Sequence, residues 1–102
     1  MRQHYIERFM RYAVLNTRSD ANSNTIPSTP AQWDFVLMLK DELEEIGCVD
    51  VFVNPDNGFV MGTLKGNVEG NVTPIGFISH VDTADFNSEN IHPKIIENYD
   101  GK

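Results

Sequence analysis

The chain has 102 residues, 40% of them hydrophobic, and a formal charge of −7 at pH 7. That length allows one domain at most, burying roughly two-thirds of its unfolded surface, and the apolar share argues against a disordered chain. The acidic balance argues against a nucleic-acid partner, which needs clustered Lys and Arg, and no apolar run is long enough to span a bilayer.

The single cysteine, Cys48, cannot form an internal disulfide. The charged segment from Met1 to Arg8 lacks the apolar core of a signal peptide. Both observations lead to the expectation of a cytoplasmic protein with no membrane partner.

Ile6, Phe9, Met10, Ala13 and Val14 recur at helical spacing and predict a packing helix with one apolar stripe. Glu7, Arg8 and Arg11 fall between them, on the expected solvent face. Asn16 to Asn24 is rich in Ser, Asn and Asp and reads as a loop. A second helix is expected to start at Thr29-Pro30-Ala31-Gln32, with Thr29 as cap, Pro30 in the first turn and Gln32 completing a capping box. It runs to about Ile46, with Trp33, Val36, Leu37, Leu43 and Ile46 as its apolar face and Phe35 and Leu39 widening it. Asp41, Glu42, Glu44 and Glu45 are read as a solvated acidic face rather than as acid–base machinery. Gly47 stands where a left-handed residue ends a helix.

Val49 to Val53 and Phe59 to Leu64, separated by the turn cluster Asn54-Pro55-Asp56-Asn57-Gly58, predict a β-hairpin. The turn lacks the full pattern of a calcium loop. Cys48, at the hairpin entrance, is expected to pack as a small hydrophobe. After the loop from Gly66 to Thr73 comes Pro74-Ile75-Gly76-Phe77-Ile78-Ser79-His80-Val81-Asp82-Thr83. Its uncharged apolar run predicts a central strand buried on both faces, and Lys94 to Tyr99 predicts a short further strand.

His80 and Asp82 lie at i and i+2, so an extended backbone sends both side chains to one side at the strand's carboxyl end. That end is where open α/β sheets bind ligands. Imidazole is a common metal ligand, and a neighbouring carboxylate can fix its tautomer and raise its basicity. The pair therefore reads as one corner of a metal site, against the plainer reading of a hydrogen-bonded structural histidine. His92, in a polar His-Pro loop, is expected to face solvent.

Taken together, several stretches resemble the opening of the peptidase T family, bacterial tripeptide aminopeptidases related to dizinc aminoacylases and carboxypeptidases. They are Glu7-Arg8-Phe9, Tyr12, Thr17 with Ser19, Pro27-Ser28-Thr29, Gln32-Trp33, Leu39-Lys40 and Leu43-Glu44-Glu45-Ile46-Gly47. The strongest likeness is Ile75 to Thr83, continued by His92-Pro93 and Ile95-Ile96-Glu97-Asn98-Tyr99. Gly62, Lys65, Gly66 and Pro30-Ala31 match least.

The resemblance implies that residues 1–102 are the amino-terminal portion of one α/β catalytic domain, itself incomplete, containing two helices, a hairpin, a buried central strand and a short further strand. It implies a zinc metalloprotease of peptide catabolism, a hydrolase with a tripeptide substrate and two zinc ions per complete site. His80 would be a zinc ligand and Asp82 the catalytic carboxylate that orients it; the remaining ligands and the general base have no counterpart here. The isolated chain would then be inactive and inclined to self-associate. Two alternatives stay open: a small α+β binding module without activity, and a mononuclear metal-binding domain using His80, Asp82 and His92.

Overall fold

The computed structural model describes all residues from Met1 to Lys102. Four elements form: α1 (Arg2–Ala13), α2 (Ala31–Glu45), β1 (Val49–Val53) and β2 (Val60–Thr63). The result is a small mixed α/β arrangement in which α2 packs across a two-stranded antiparallel sheet.

Local chemistry explains the ends of α2. At its start, the Thr29 backbone N–H donates to Gln32 Oε1 at 3.4 Å, which is half of the expected capping box. The other half is missing, because the Thr29 hydroxyl donates instead to the Arg18 carbonyl at 2.9 Å. The helix start is thereby tied to the preceding loop. At its end, Gly47 has φ +92°, and the backbone N–H groups of Gly47 and Cys48 donate to the Glu44 and Leu43 carbonyls at 3.0 and 2.9 Å. That is the Schellman arrangement, which satisfies carbonyls the helix leaves open.

The hairpin follows as expected. Val53 pairs with Val60 and Phe52 with Met61, and a bulge before Phe52 shifts the register so that Val49 faces Thr63. The turn closes with the Gly58 N–H on the Asn54 carbonyl and the Asn54 N–H on the Phe59 carbonyl, both at 2.8 Å. Gly62 admits the close approach of α2: a Cβ there would lie 3.2 Å from both Cys48 Cβ and Val51 Cγ2, and 3.5 Å from Leu43 Cδ1. Phe35 and Val36 of α2 are the only large apolar residues buried, while Leu37 and Ile46, expected on its inner face, are exposed. Cys48 is half-buried.

Two expected strands do not form. Pro74 to Ser79 makes no backbone–backbone hydrogen bond, and Ile75, Phe77 and Ile78 are 81%, 95% and 101% exposed. Lys94 to Tyr99 is likewise outside any sheet. A central strand requires neighbours along both edges and cover on both faces, and the only sheet here is β1 with β2. A two-stranded hairpin could flank such a run on one side only and leaves its faces uncovered. The consequence is an open molecule: its radius of gyration is 16.7 Å, against about 13 Å for a compact domain of this length.

The orientation of α1 is a second correction. Its apolar stripe was expected to face a core, yet no α1 residue is buried: Ile6, Met10 and Ala13 are half-buried, and Phe9 and Val14 lie open to solvent. The face that docks is Arg8, Arg11 and Tyr12, the i, i+3 and i+4 positions of a polar edge. These three converge on Glu42 of α2, which is only 9% exposed. Arg11 and Tyr12 donate to its two carboxylate oxygens, and Arg8 Nε lies 3.5 Å away. The Tyr12 ring also meets Phe35 edge-on, centroids 5.1 Å apart. Glu42 is thus not part of a solvated acidic face. A buried carboxylate demands charged or hydroxyl partners, and α1 provides Tyr12 together with Arg8 and Arg11, two residues that sequence periodicity assigns to water.

Candidate metal-ligand pair

Two loops build the site. The first leaves α1 and covers Asn16 to Ala21; the second follows His80. A short parallel bridge joins them: the Thr83 N–H donates to the Thr17 carbonyl at 3.0 Å, and the Ser19 N–H donates to the Thr83 carbonyl at 2.9 Å. Side chains extend the contact. Arg18 forms an ion pair with Asp85 at 2.6 Å, and the Ser88 hydroxyl donates to Asn16 Oδ1 at 2.6 Å. Arg18, followed by the Ala21 N–H, holds the Asp85 carboxyl below the usual carboxylate range.

His80 and Asp82 are brought together at the edge of this contact. His80 Nδ1 is 3.0 Å from Asp82 Oδ1, and the Ser19 hydroxyl donates to Asp82 Oδ2 at 2.5 Å. The Ser19 hydroxyl, and after it the His80 ring, hold the Asp82 carboxyl below its ordinary range. An ionised carboxylate only accepts, so the ring must donate from Nδ1. In a neutral imidazole that leaves Nε2 with its lone pair, the form a metal ligand needs. The His80 side chain is 84% exposed and makes no other side-chain hydrogen bond.

A single imidazole with its orienting carboxylate fits part of a metal site by its donor chemistry. A catalytic zinc normally takes three protein ligands and keeps one open position. The structure assembles no group of three or more His, Cys, Asp or Glu side chains. His92 does not join His80 and Asp82, so the mononuclear His80–Asp82–His92 arrangement does not form.

The residues that hold the pair were only partly legible. Thr17 and Ser19 stand at i and i+2, the same spacing as His80 and Asp82, and this was the available signal for a bridging pair of short segments. Gln32, expected only to cap a helix, is buried and donates from Nε2 to the Thr17 carbonyl and to Ser19 Oγ, both at 3.2 Å.

The fold and the pair define a small mixed α/β chain in which an exposed histidine is hydrogen-bonded to a neighbouring carboxylate. No family model matches it. Individual proteins do: along its whole length the chain is homologous to peptidase T. It is 55% identical over 102 residues to peptidase T of Enterococcus faecalis, a match spanning 100% of this chain and 25% of that protein. Peptidase T of Fusobacterium nucleatum is 57% identical over 96 residues, 94% of this chain and 23% of the relative. Peptidase T of Geobacillus kaustophilus is 52% identical over 102 residues, 99% of this chain and 25% of the relative. The chain therefore spans about a quarter of the length of these curated relatives.

Proposed function

We propose that this chain forms the amino-terminal part of a dizinc aminopeptidase domain that releases the first residue of a tripeptide. His80 supplies one zinc ligand through Nε2. Asp82 acts on the ring, not on the substrate: its Oδ1 accepts the Nδ1 proton and its Oδ2 is taken by Ser19. The observation that carries this reading is that imidazole–carboxylate contact, in a chain 55% identical to a peptidase T. When bound, zinc in such a site polarises the scissile carbonyl and lowers the pKa of a water molecule.

The other ligands and the base that takes the proton from water come from sequence beyond this segment. The exposed run from Ile75 to Ser79 becomes a central strand when that sequence supplies its neighbours, completing the α/β sheet expected from the residues. A cytoplasmic location agrees with the single cysteine and with the absence of any helix long and apolar enough to cross a membrane.

The test is a chimera in which residues 1–102 replace the matching quarter of the Enterococcus faecalis protein. Zinc-dependent release of the amino-terminal residue from a tripeptide is the expected result, while the 102-residue chain alone releases none. A folded chimera without turnover would favour a binding module that retains the pattern without the activity.

A further inference from the structure

The group that touches the histidine–carboxylate pair without a role in the proposed reaction is the Ser19 hydroxyl. We propose that Ser19, held by Gln32, is a positioning residue that sets the tautomer of His80 through Asp82. The purpose of this device rests on the reading of His80 as a metal ligand; its test does not.

The geometry forms a directed chain. Gln32 Nε2 donates to Ser19 Oγ at 3.2 Å, Ser19 donates to Asp82 Oδ2 at 2.5 Å, and Asp82 Oδ1 receives His80 Nδ1 at 3.0 Å. A hydroxyl has one proton to give and lone pairs to accept with, so Ser19 fills both roles at once. Its backbone is fixed as well, because the Ser19 N–H donates to the Thr83 carbonyl at 2.9 Å. Gln32 is buried, and its Oε1 accepts the Thr29 N–H at the start of α2. The chain thus begins on α2, the helix that carries the buried residues, and ends on an exposed imidazole ring.

Such an anchor matters because packing does not hold His80. With the side chain 84% exposed, the ring orientation depends on its contact with Asp82, whose side chain is itself 44% exposed. A carboxylate anchored at one oxygen has a fixed direction for the other. Released from Ser19, Asp82 can turn toward water, and the ring reverts to the Nε2-protonated form that free histidine prefers. That form buries the metal-binding lone pair under a proton.

The experiment uses the 102-residue chain with His4→Gln and His92→Gln, leaving His80 as the sole histidine. Nitrogen-15 solid-state NMR at about pH 8.5, above the ordinary histidine range, reads the tautomer in dispersed and self-associated material alike. The Nδ1-protonated form is expected to dominate in the parent and in Ser19→Thr. In Ser19→Ala and Ser19→Val the ratio should move about five-fold toward the Nε2-protonated form, the effect of one lost hydrogen bond. Thr and Val have nearly the same shape, so a purely packing role for Ser19 would move both or neither. An Nε2-protonated majority in the parent would overturn the proposal, as would identical ratios in the Thr and Val variants. No zinc is added, so failure here leaves the ligand assignment standing, and failure of zinc binding leaves this result standing.

Discussion

Replacing Glu42 with Gln tests the contact that attaches α1 to the rest of the molecule. Glu42 accepts from Arg11 and Tyr12 and lies 3.5 Å from Arg8 Nε. Two hydrogen bonds to a charged group contribute about 1.5–3 kcal/mol each when fully sheltered. The Arg11 side chain is 54% exposed and screened by water, and the Gln oxygen still accepts one bond. The expected loss is therefore about 2 kcal/mol, seen as a lower urea midpoint with an unchanged slope.

A second readout comes from Tyr12, whose pKa is raised by burial, then by its bond to Glu42 and the adjacent negative charge. In a Tyr5→Phe, Tyr99→Phe background, the ultraviolet titration of Tyr12 should fall toward the ordinary tyrosine value in Glu42→Gln. The sign follows from linkage: a group with a raised folded pKa contributes its stability fully below the unfolded value near pH 10 and loses it as pH climbs through the folded one. The α1 attachment should accordingly weaken in strong alkali. An unchanged urea midpoint and an unchanged Tyr12 titration would refute the buried carboxylate as the anchor.

Other outcomes follow from single residues. Gly58→Ala places a Cβ 2.7 Å from Pro27 Cγ at φ +70°, whereas Gly47→Ala, at φ +92°, meets nothing within 4 Å; thermal melts should show Gly47→Ala costing about 1 kcal/mol and Gly58→Ala clearly more. Asp82→Asn in the chimera should lower zinc affinity by about 10–100-fold, measured by chelator competition, with a normal melting temperature. Because Ser19 and His80 depress the Asp82 pKa, the tie between the two loops should persist above the ordinary carboxylate range and be lost as pH falls through the lowered value; amide exchange at Thr83 reports it. Phe77→Asp should reduce self-association of the isolated chain in light scattering, since Phe77 lies in the exposed apolar run; equal association in both proteins would place the sticky surface elsewhere.

The features readable from sequence are those set by neighbours along the chain. The Gly47 helix stop, the hairpin with its Asn54 to Gly58 turn and the reach of α2 all depend on contacts a few residues apart, and each forms where expected. His80 and Asp82 meet for the same reason, being two residues apart. The misreadings concern partners distant in sequence. Periodicity reports that one face of α1 is apolar, but not how much surface exists for it to cover; Ile6, Met10 and Ala13 are only half-buried, and the polar edge meets Glu42. The run from Ile75 to Ser79 is apolar enough for a central strand, yet it pairs with neither outer edge of the β1–β2 hairpin, and nothing covers its two faces. Ser19 and Gln32 were visible as a loop hydroxyl and a capping residue; the bonds from Ser19 to Asp82 and from Gln32 to Ser19 span 63 and 13 residues, which no local pattern encodes.

The assignment of His80 is tested most directly by counting metal. Zinc per chain should be measured by atomic emission in the chimera carrying residues 1–102, and again after His80→Ala, with tripeptide cleavage followed in the same samples. Loss of one zinc ion and of most turnover, with the fold intact, is the predicted result, because a site deprived of one ligand no longer holds its metal. Full zinc occupancy with normal turnover in the His80→Ala chimera would contradict it.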